Sequence, residues 1–169
     1  EGAAAVHCTA QAELDQSRVW FPKGRGEIAP LIVDLSPYTD LPGPDIAREA
    51  FGLDPDTPVV LFLSRLHIKK GVHILVKAAK HLADAGVEAQ TIIAGVGDEA
   101  YAQGLESQIT SLGLTDRVRL VGMVKGTTKV SLYQAADVFA LPTSQENFGF
   151  VLPEALACGV PVVLPHHGA

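Results

Sequence analysis

Five short apolar runs recur at fairly even spacing, at residues 59–63, 91–94, 118–121, 138–141 and 162–164. Most are uninterrupted and rich in β-branched side chains, the pattern of strands buried on both faces of a parallel sheet. Pro161 stands before the last run, where a strand can do without an N–H. Helical patterns fill the intervals. Within residues 72–85, Val72, Leu75, Val76, Ala79, Leu82 and Ala83 fall on one stripe, and Gly86 is placed to close the helix as its C′ residue. Residues 101–112 form an amphipathic pattern that ends at Gly113. Residues 130–136 form a shorter one, and residues 152–157 another, closed by Gly159. Strands alternating with helices predict a doubly wound α/β sandwich, Rossmann-like in its winding.

The first 57 residues read differently. Residues 3–8 suit a strand, Thr9 suits a helix N-cap, and Leu31, Ile32 and Val33 form one more apolar run. Pro37, Pro42, Pro44, Pro55 and Pro58 then punctuate a linker-like stretch with a helical turn or two near residues 45–51. The expected division is 1–57, a preceding domain's tail plus linker, and 58–169, the α/β domain. The chain stops just after a strand, where a doubly wound domain goes on to a helix, so it is expected to be a piece of a longer protein.

Composition narrows the function classes. With 47% hydrophobic and 19% charged residues the chain is of ordinary globular make-up. A net charge of −6 argues against a general polyanion binder such as a nucleic-acid protein, but not against a small phosphorylated ligand served by a few local cations. The longest apolar run is about five residues, far short of the ~20 that span a bilayer. The opening Glu1-Gly2 lacks the basic start and apolar stretch of a secretory signal. Cys8 and Cys158 read as unpaired thiols of a reducing compartment, so the expected location is cytoplasmic.

In open parallel sheets, ligands sit beyond the carboxyl ends of the strands. The loops expected there carry Arg65, Lys69 and Lys70 after the first run, Gly95-Val96-Gly97-Asp98 after the second, Met123, Val124 and Lys125 after the third, and "SQENFGFVLPEALACGVPVV" after the fourth. Arg65 offers a planar fork to phosphate oxygens and Lys70 a mobile point charge at the head of a helix. Taken alone, each reads more readily as a solvated loop cation, and Lys69 is read so.

Glu154 follows Pro153 in the first turn of a helix, where the helix dipole favours a carboxylate by roughly 0.3–1 kcal/mol. That does not account for Glu146. One straight helix would hold the two about 12 Å apart, but Asn147-Phe148-Gly149 breaks any such helix and lets both carboxylates face one pocket. An ionised carboxylate accepts two hydrogen bonds, which matches a vicinal diol. Gly149 permits close approach of the backbone, so that the N–H groups of Phe150 and Val151 can meet a phosphate. Cations and backbone donors for a diphosphate, with a carboxylate for hydroxyls on either side, describe a nucleotide-sugar site.

Other features are weighed against plainer readings. His73 and His81 read as exposed helix residues. His166 and His167 stand at a strand exit near the proposed pocket, Cys158 reads as a small core residue, and Trp20 and Phe21 as packing for the first segment. Asp98 and Glu99 read as a helix start rather than metal ligands, and no metal site is expected. Gly95-Val96-Gly97 raises a dinucleotide-binding oxidoreductase as a rival, but Ala100 replaces the third glycine of that pattern. The other rival is a non-catalytic module binding a nucleotide or glycan.

The segments "LFLSRLHIKKGVHILVKA", "IIAGVGDE", "VRLVGMV" and "LYQAADVFALPTSQENFGFVLPEALACGVPVV" together resemble the donor-binding domain of family 4 (group 1) retaining glycosyltransferases of GT-B fold. The resemblance covers about residues 59–168, in order, and includes the two glutamates with seven residues between them. "AVHCTAQAELD" and "IAPLIVDLSPY" resemble the end of that family's acceptor domain and the crossover from it. Asn147 stands where the family often has glycine.

The resemblance implies a site. Arg65 and Lys70 would hold the donor diphosphate, helped by the backbone at Gly149, Phe150 and Val151. Glu154 would bind ribose hydroxyls and Glu146 those of the transferred sugar. Met123 and Val124 would line the base through main chain, with Lys129 close to the nucleotide. It implies transfer of a hexose from a UDP-, GDP- or ADP-sugar to an acceptor hydroxyl with retention, with no metal and no cofactor beyond the donor. The acceptor class stays open among glycans, glycolipids and small molecules, with peripheral contact at the inner membrane face through the missing domain. The isolated chain is expected not to turn over, since GT-B chemistry takes place between two domains.

Overall fold

The computed structural model describes residues 4–146 and 148–166. A small βαβ unit comes first: β1 (Val6–Cys8), α1 (Gln11–Ser17) and β2 (Gly26–Ile28), with β1 and β2 parallel. A 3-10 turn (Ser36–Tyr38) and α2 (Asp45–Phe51) lead into β3 (Val59–Leu63), α3 (Val72–Asp84), β4 (Gln90–Ala94), α4 (Glu99–Ser111), β5 (Val118–Gly122), α5 (Gly126–Gln134), β6 (Val138–Ala140), α6 (Val151–Ala157) and β7 (Val162–Val163).

The second sheet is all parallel in the order β5-β4-β3-β6-β7. It is the doubly wound sheet that the apolar runs predicted. Its centre is continuous apolar packing: Leu61, Phe62, Ile92, Ile93, Ala94 and Phe139 are fully buried, each large side chain contributing about 1.5–3 kcal/mol over exposure. On α3, Val72, Leu75, Val76 and Ala79 are buried as the stripe required. Gly86, Gly113 and Gly159 each follow a helix with positive φ (73°, 68° and 77°) and close it without a Cβ penalty.

The order matters more than the count. The chain winds outward from β3 through β4 to β5, then returns to the other side of β3 with β6 and β7. The winding reverses between β3 and β6, the switch point beside which ligands bind in open α/β sheets.

Several local expectations are corrected. Ala10, not Thr9, is the N-cap of α1; Thr9 instead donates its N–H and hydroxyl to Glu13 Oε2, each at 2.6 Å. β2 went unread because two of its three residues, Gly26 and Glu27, are not apolar. α5 starts at Gly126, ahead of the apolar pattern, because its first turn is Thr127, Thr128 and Lys129, polar side chains that leave no periodic signal. Trp20 is 86% exposed rather than packed into the first segment, while Phe21 lies under the Arg18 guanidinium at 5.0 Å. His73 is half-buried, its Nδ1 3.1 Å from the Tyr101 hydroxyl, so it ties α3 to α4. Cys8 and Cys158 are both free.

Residues 43–53 pack onto the main sheet's helices. Ala47 N–H donates to Ser131 Oγ at 2.9 Å and Gly43 N–H to Gln134 Oε1 at 2.7 Å. Tyr38, Ala47 and Leu53 belong to the same buried cluster as the strands.

Candidate active site: two adjoining clefts around the start of α6

The loop after β3 is held by its neighbours through close backbone contacts. Ser64 N–H donates to Ala94 O at 3.1 Å and Leu66 N–H to Val96 O at 3.0 Å. This requires glycine opposite. A Cβ on Gly95 would stand 1.8 Å from Ser64 O, and one on Gly97 1.9 Å from Leu66 O. The Gly95-Val96-Gly97 turn therefore exists to let the Arg65 loop pass, which accounts for both glycines without a dinucleotide. Gly71 repeats the device: with φ 71°, its Cβ would fall 1.9 Å from Pro142 O. The loops after β3 and β6 are thus locked together at the switch point.

Lys70, at the end of a 3-10 turn (Ile68–Lys70), is buried. Its ammonium donates to Glu146 Oε2 at 2.7 Å. Ser144 N–H donates to Lys69 O at 2.8 Å, which fixes the strand exit that carries Glu146. Lys69 itself reaches Gln145 Oε1 at 2.8 Å. Arg65, Lys70, Glu146, Gly149, Phe150 and Val151 all line one cleft of about 670 Å³. Gly149, at φ 68°, turns the chain from Glu146 into α6, and the Phe148 and Phe150 rings pack at 4.7 Å across the turn. Asn147 and His167 lie outside the described residues. His166 is exposed at the exit of β7.

Glu154 opens elsewhere. It lines a second cleft of about 660 Å³ with Tyr38, Thr127 and Lys129. Three of the four head groups expected in one cavity share it, and the fourth faces its neighbour across the first turn of α6. The physical reason is α5. Lys129 Nζ donates to Glu154 Oε1 at 2.8 Å and the Tyr133 hydroxyl to Oε2 at 2.9 Å, so both oxygens are drawn toward that helix. Burial lowers the Lys129 ammonium, but its bonds to Glu154 and Tyr38 outweigh this and hold it above the ordinary lysine value. Burial, and then Glu154 beside it, pushes the Tyr133 hydroxyl far up. In the sequence Tyr133 reads only as part of an apolar pattern, although its four-residue spacing from Lys129 puts both on one face of a helix.

Met123 and Val124 line a small hollow of about 140 Å³ with Ser64, Arg65, Gly95 and Val96, beyond the ends of β3, β4 and β5. Asp98 is the N-cap of α4, accepting from Tyr101 N–H at 2.9 Å, as a helix start should. Among the described residues no group of three or more His, Cys, Asp or Glu is arranged to hold a metal ion.

The sequence profile of the family "Glycosyl transferases group 1" matches residues 45–169. A D-inositol 3-phosphate glycosyltransferase of Xylanimonas cellulosilytica is 36% identical over 146 residues, which are 82% of this chain and 34% of that protein. HepE of Anabaena, solved in complex with UDP and glucose, is 32% identical with a TM-score of 0.81, over 98% of this chain and 45% of its own. A sucrose-phosphate synthase of Thermosynechococcus elongatus is 29% identical with a TM-score of 0.82, over 99% of this chain and 42% of its own. The chain spans about a third of the length of the curated relatives it matches. The sheet, its order and these likenesses are those of the C-terminal domain of a GT-B glycosyltransferase, and the chain belongs to the group 1 glycosyl transferases.

Proposed function

We propose that the full-length protein binds a nucleoside diphosphate sugar, a UDP-sugar first among them, and transfers its hexose to an acceptor hydroxyl with retention and without a metal. The observation that carries this is the switch-point cleft in which Arg65 and the Lys70–Glu146 pair meet the start of α6. UDP-glucose and UDP are bound by the Anabaena relative, which supports the same donor class here.

In this reading the base lies on Met123 and Val124, and the diphosphate meets Arg65, Lys70 and the backbone N–H groups at Phe150 and Val151. Glu154 takes the ribose hydroxyls, with Lys129 beside it. An arriving diphosphate competes for the Lys70 ammonium and so releases Glu146 to accept from the sugar hydroxyls. As the glycosidic bond breaks, the leaving diphosphate gains charge, and fixed cations at Arg65 and Lys70 stabilise it. Glu146 positions the sugar and offsets positive charge developing at its anomeric carbon, and the acceptor enters from the face the leaving group departs, giving its hydroxyl proton to the departing diphosphate oxygen. Residues 1–57 belong to the acceptor-domain tail and crossover, 58–169 to the donor domain, and the protein works in the cytoplasm. The 169-residue chain alone binds nucleotide weakly and does not turn over.

A thermal-shift panel of UDP-, GDP- and ADP-sugars on the full-length protein tests this. A true donor at a hundred times its dissociation constant adds about 2.7 kcal/mol. A panel with no shift removes the donor reading. Transfer abolished by EDTA removes metal independence, and an inverted product by NMR removes retention.

A further inference from the structure

Glu154 keeps acceptor capacity after its two bonds within the protein. Lys129 Nζ takes one lone pair of Oε1 and the Tyr133 hydroxyl one of Oε2, which leaves one on each oxygen for an outside donor. Whatever fixes these two donors also sets where the free lone pairs point. Tyr133 is fixed by full burial. Lys129 is not: its side chain is 25% exposed, and an ammonium on a flexible stem has many rotamers open to it.

Tyr38 supplies what the lysine lacks. The Lys129 ammonium lies 5.8 Å from the centre of the Tyr38 ring, inside the range of a cation–π contact. The ring is itself held. It is buried in the same cluster as the strands, and Tyr38 N–H donates to Leu35 O at 2.9 Å. Beyond it the chain is pinned to α5, the helix that carries Lys129, by the bonds of Gly43 to Gln134 and of Ala47 to Ser131. The segment leading out of the first βαβ unit and α5 thus form one frame, and Tyr38, Lys129 and Glu154 line the same cleft.

We propose that Tyr38 is a positioning residue for the donor: acting through Lys129, it aims the Glu154 carboxylate at the ribose hydroxyls. This rests on the reading of Glu154 as the ribose group. The segment that joins the two parts of the chain thereby takes part in nucleotide binding.

Calorimetry on the full-length protein tests it with two probes, UDP and dideoxy-UDP, which lacks both ribose hydroxyls. In Tyr38→Leu, which keeps an apolar side chain in the cluster, UDP affinity falls about fivefold, the worth of one cation–π contact. Dideoxy-UDP affinity stays at the parent level, because that ligand has no hydroxyl to be aimed at. Tyr38→Phe, which restores the ring, recovers most of the loss. With Lys129→Met already in place, neither Tyr38 variant weakens UDP further. Tyr38→Met serves in place of the leucine variant if that one does not fold, since its unbranched chain fills irregular gaps. Equal losses for the two nucleotides show a merely structural role and overturn the proposal, as does a further loss on the Lys129→Met background. A parent protein that binds neither nucleotide removes the donor reading and this one with it, whereas UDP bound at parent affinity by Tyr38→Leu removes this one alone.

Discussion

Lys70 Nζ lies 2.7 Å from Glu146 Oε2, joining two loops 76 residues apart in the chain, with only 11% and 20% of their side chains exposed. The pair forms because β3 and β6 are neighbours at the point where the winding reverses. It is shielded enough to matter for stability and close enough to the cleft to matter for chemistry.

A double-mutant cycle separates these roles. Lys70→Met and Glu146→Gln each leave the other partner half-satisfied, costing about 3 kcal/mol or more where a buried charge is stranded. The double variant recovers about 0.5–3 kcal/mol of the summed loss. Urea unfolding measures this. Glu146→Gln in the full-length protein also lowers transfer by roughly a hundredfold or more, and unchanged turnover refutes its role at the sugar.

Gly71→Ala tests the lock between the loops. Its Cβ would meet Pro142 O at 1.9 Å from a left-handed backbone. The expected cost is about 2–3 kcal/mol, or a fall in Tm of roughly 4–12 °C. Gly104→Ala is the control: it lies within α4 and its Cβ meets nothing within 4 Å, so it adds about 1 kcal/mol. Differential scanning calorimetry on both variants checks the contrast.

Tyr133→Phe removes the donor on Glu154 Oε2 without changing the packing of a fully buried ring. A loss of about 1.5–3 kcal/mol follows, the value of a hydrogen bond to a charged group. Calorimetric UDP affinity weakens with it, because Glu154 is then held by Lys129 alone. Stability and affinity both at the parent level would show that the hydroxyl does not orient this carboxylate.

The Lys129 ion pair sets a pH signature. Its folded value is raised above the unfolded one, near about 10.4, so its contribution is complete below the unfolded value and is lost as pH rises through the folded one. The raised Tyr133 acts in the same direction, since above about pH 10 ionisation favours the unfolded chain. The stability gap between parent and Lys129→Met is therefore flat from about pH 6 to about pH 9 and narrows above about pH 10. Urea midpoints across that range measure it, and a gap that changes near neutrality contradicts the assignment.

Local chemistry made much of this legible in advance. Apolar runs rich in β-branched residues favour buried strands, a 3.6-residue stripe favours a half-buried helix, and a glycine after such a stripe ends it; the run Leu31, Ile32 and Val33 is the exception, with no strand there and Ile32 93% exposed. The strands 59–63 and 90–94, the helix 72–84 and its close at Gly86 follow from the sequence because neighbouring residues decide them. The winding rule then put Arg65, Lys70 and Glu146 at one edge. Tertiary structure decided what depends on partners distant in the chain. Nothing within "SQENFGFVLPE" reveals that Glu154 turns from Glu146's cleft, because the pull comes from Lys129 and Tyr133, 25 and 21 residues earlier on α5. Nor does "GVG" say that its glycines make room for the carbonyls of Ser64 and Leu66. A periodic pattern is a property of one segment, whereas a carboxylate's direction and a backbone's closest approach belong to two segments at once, and only the folded chain brings those together.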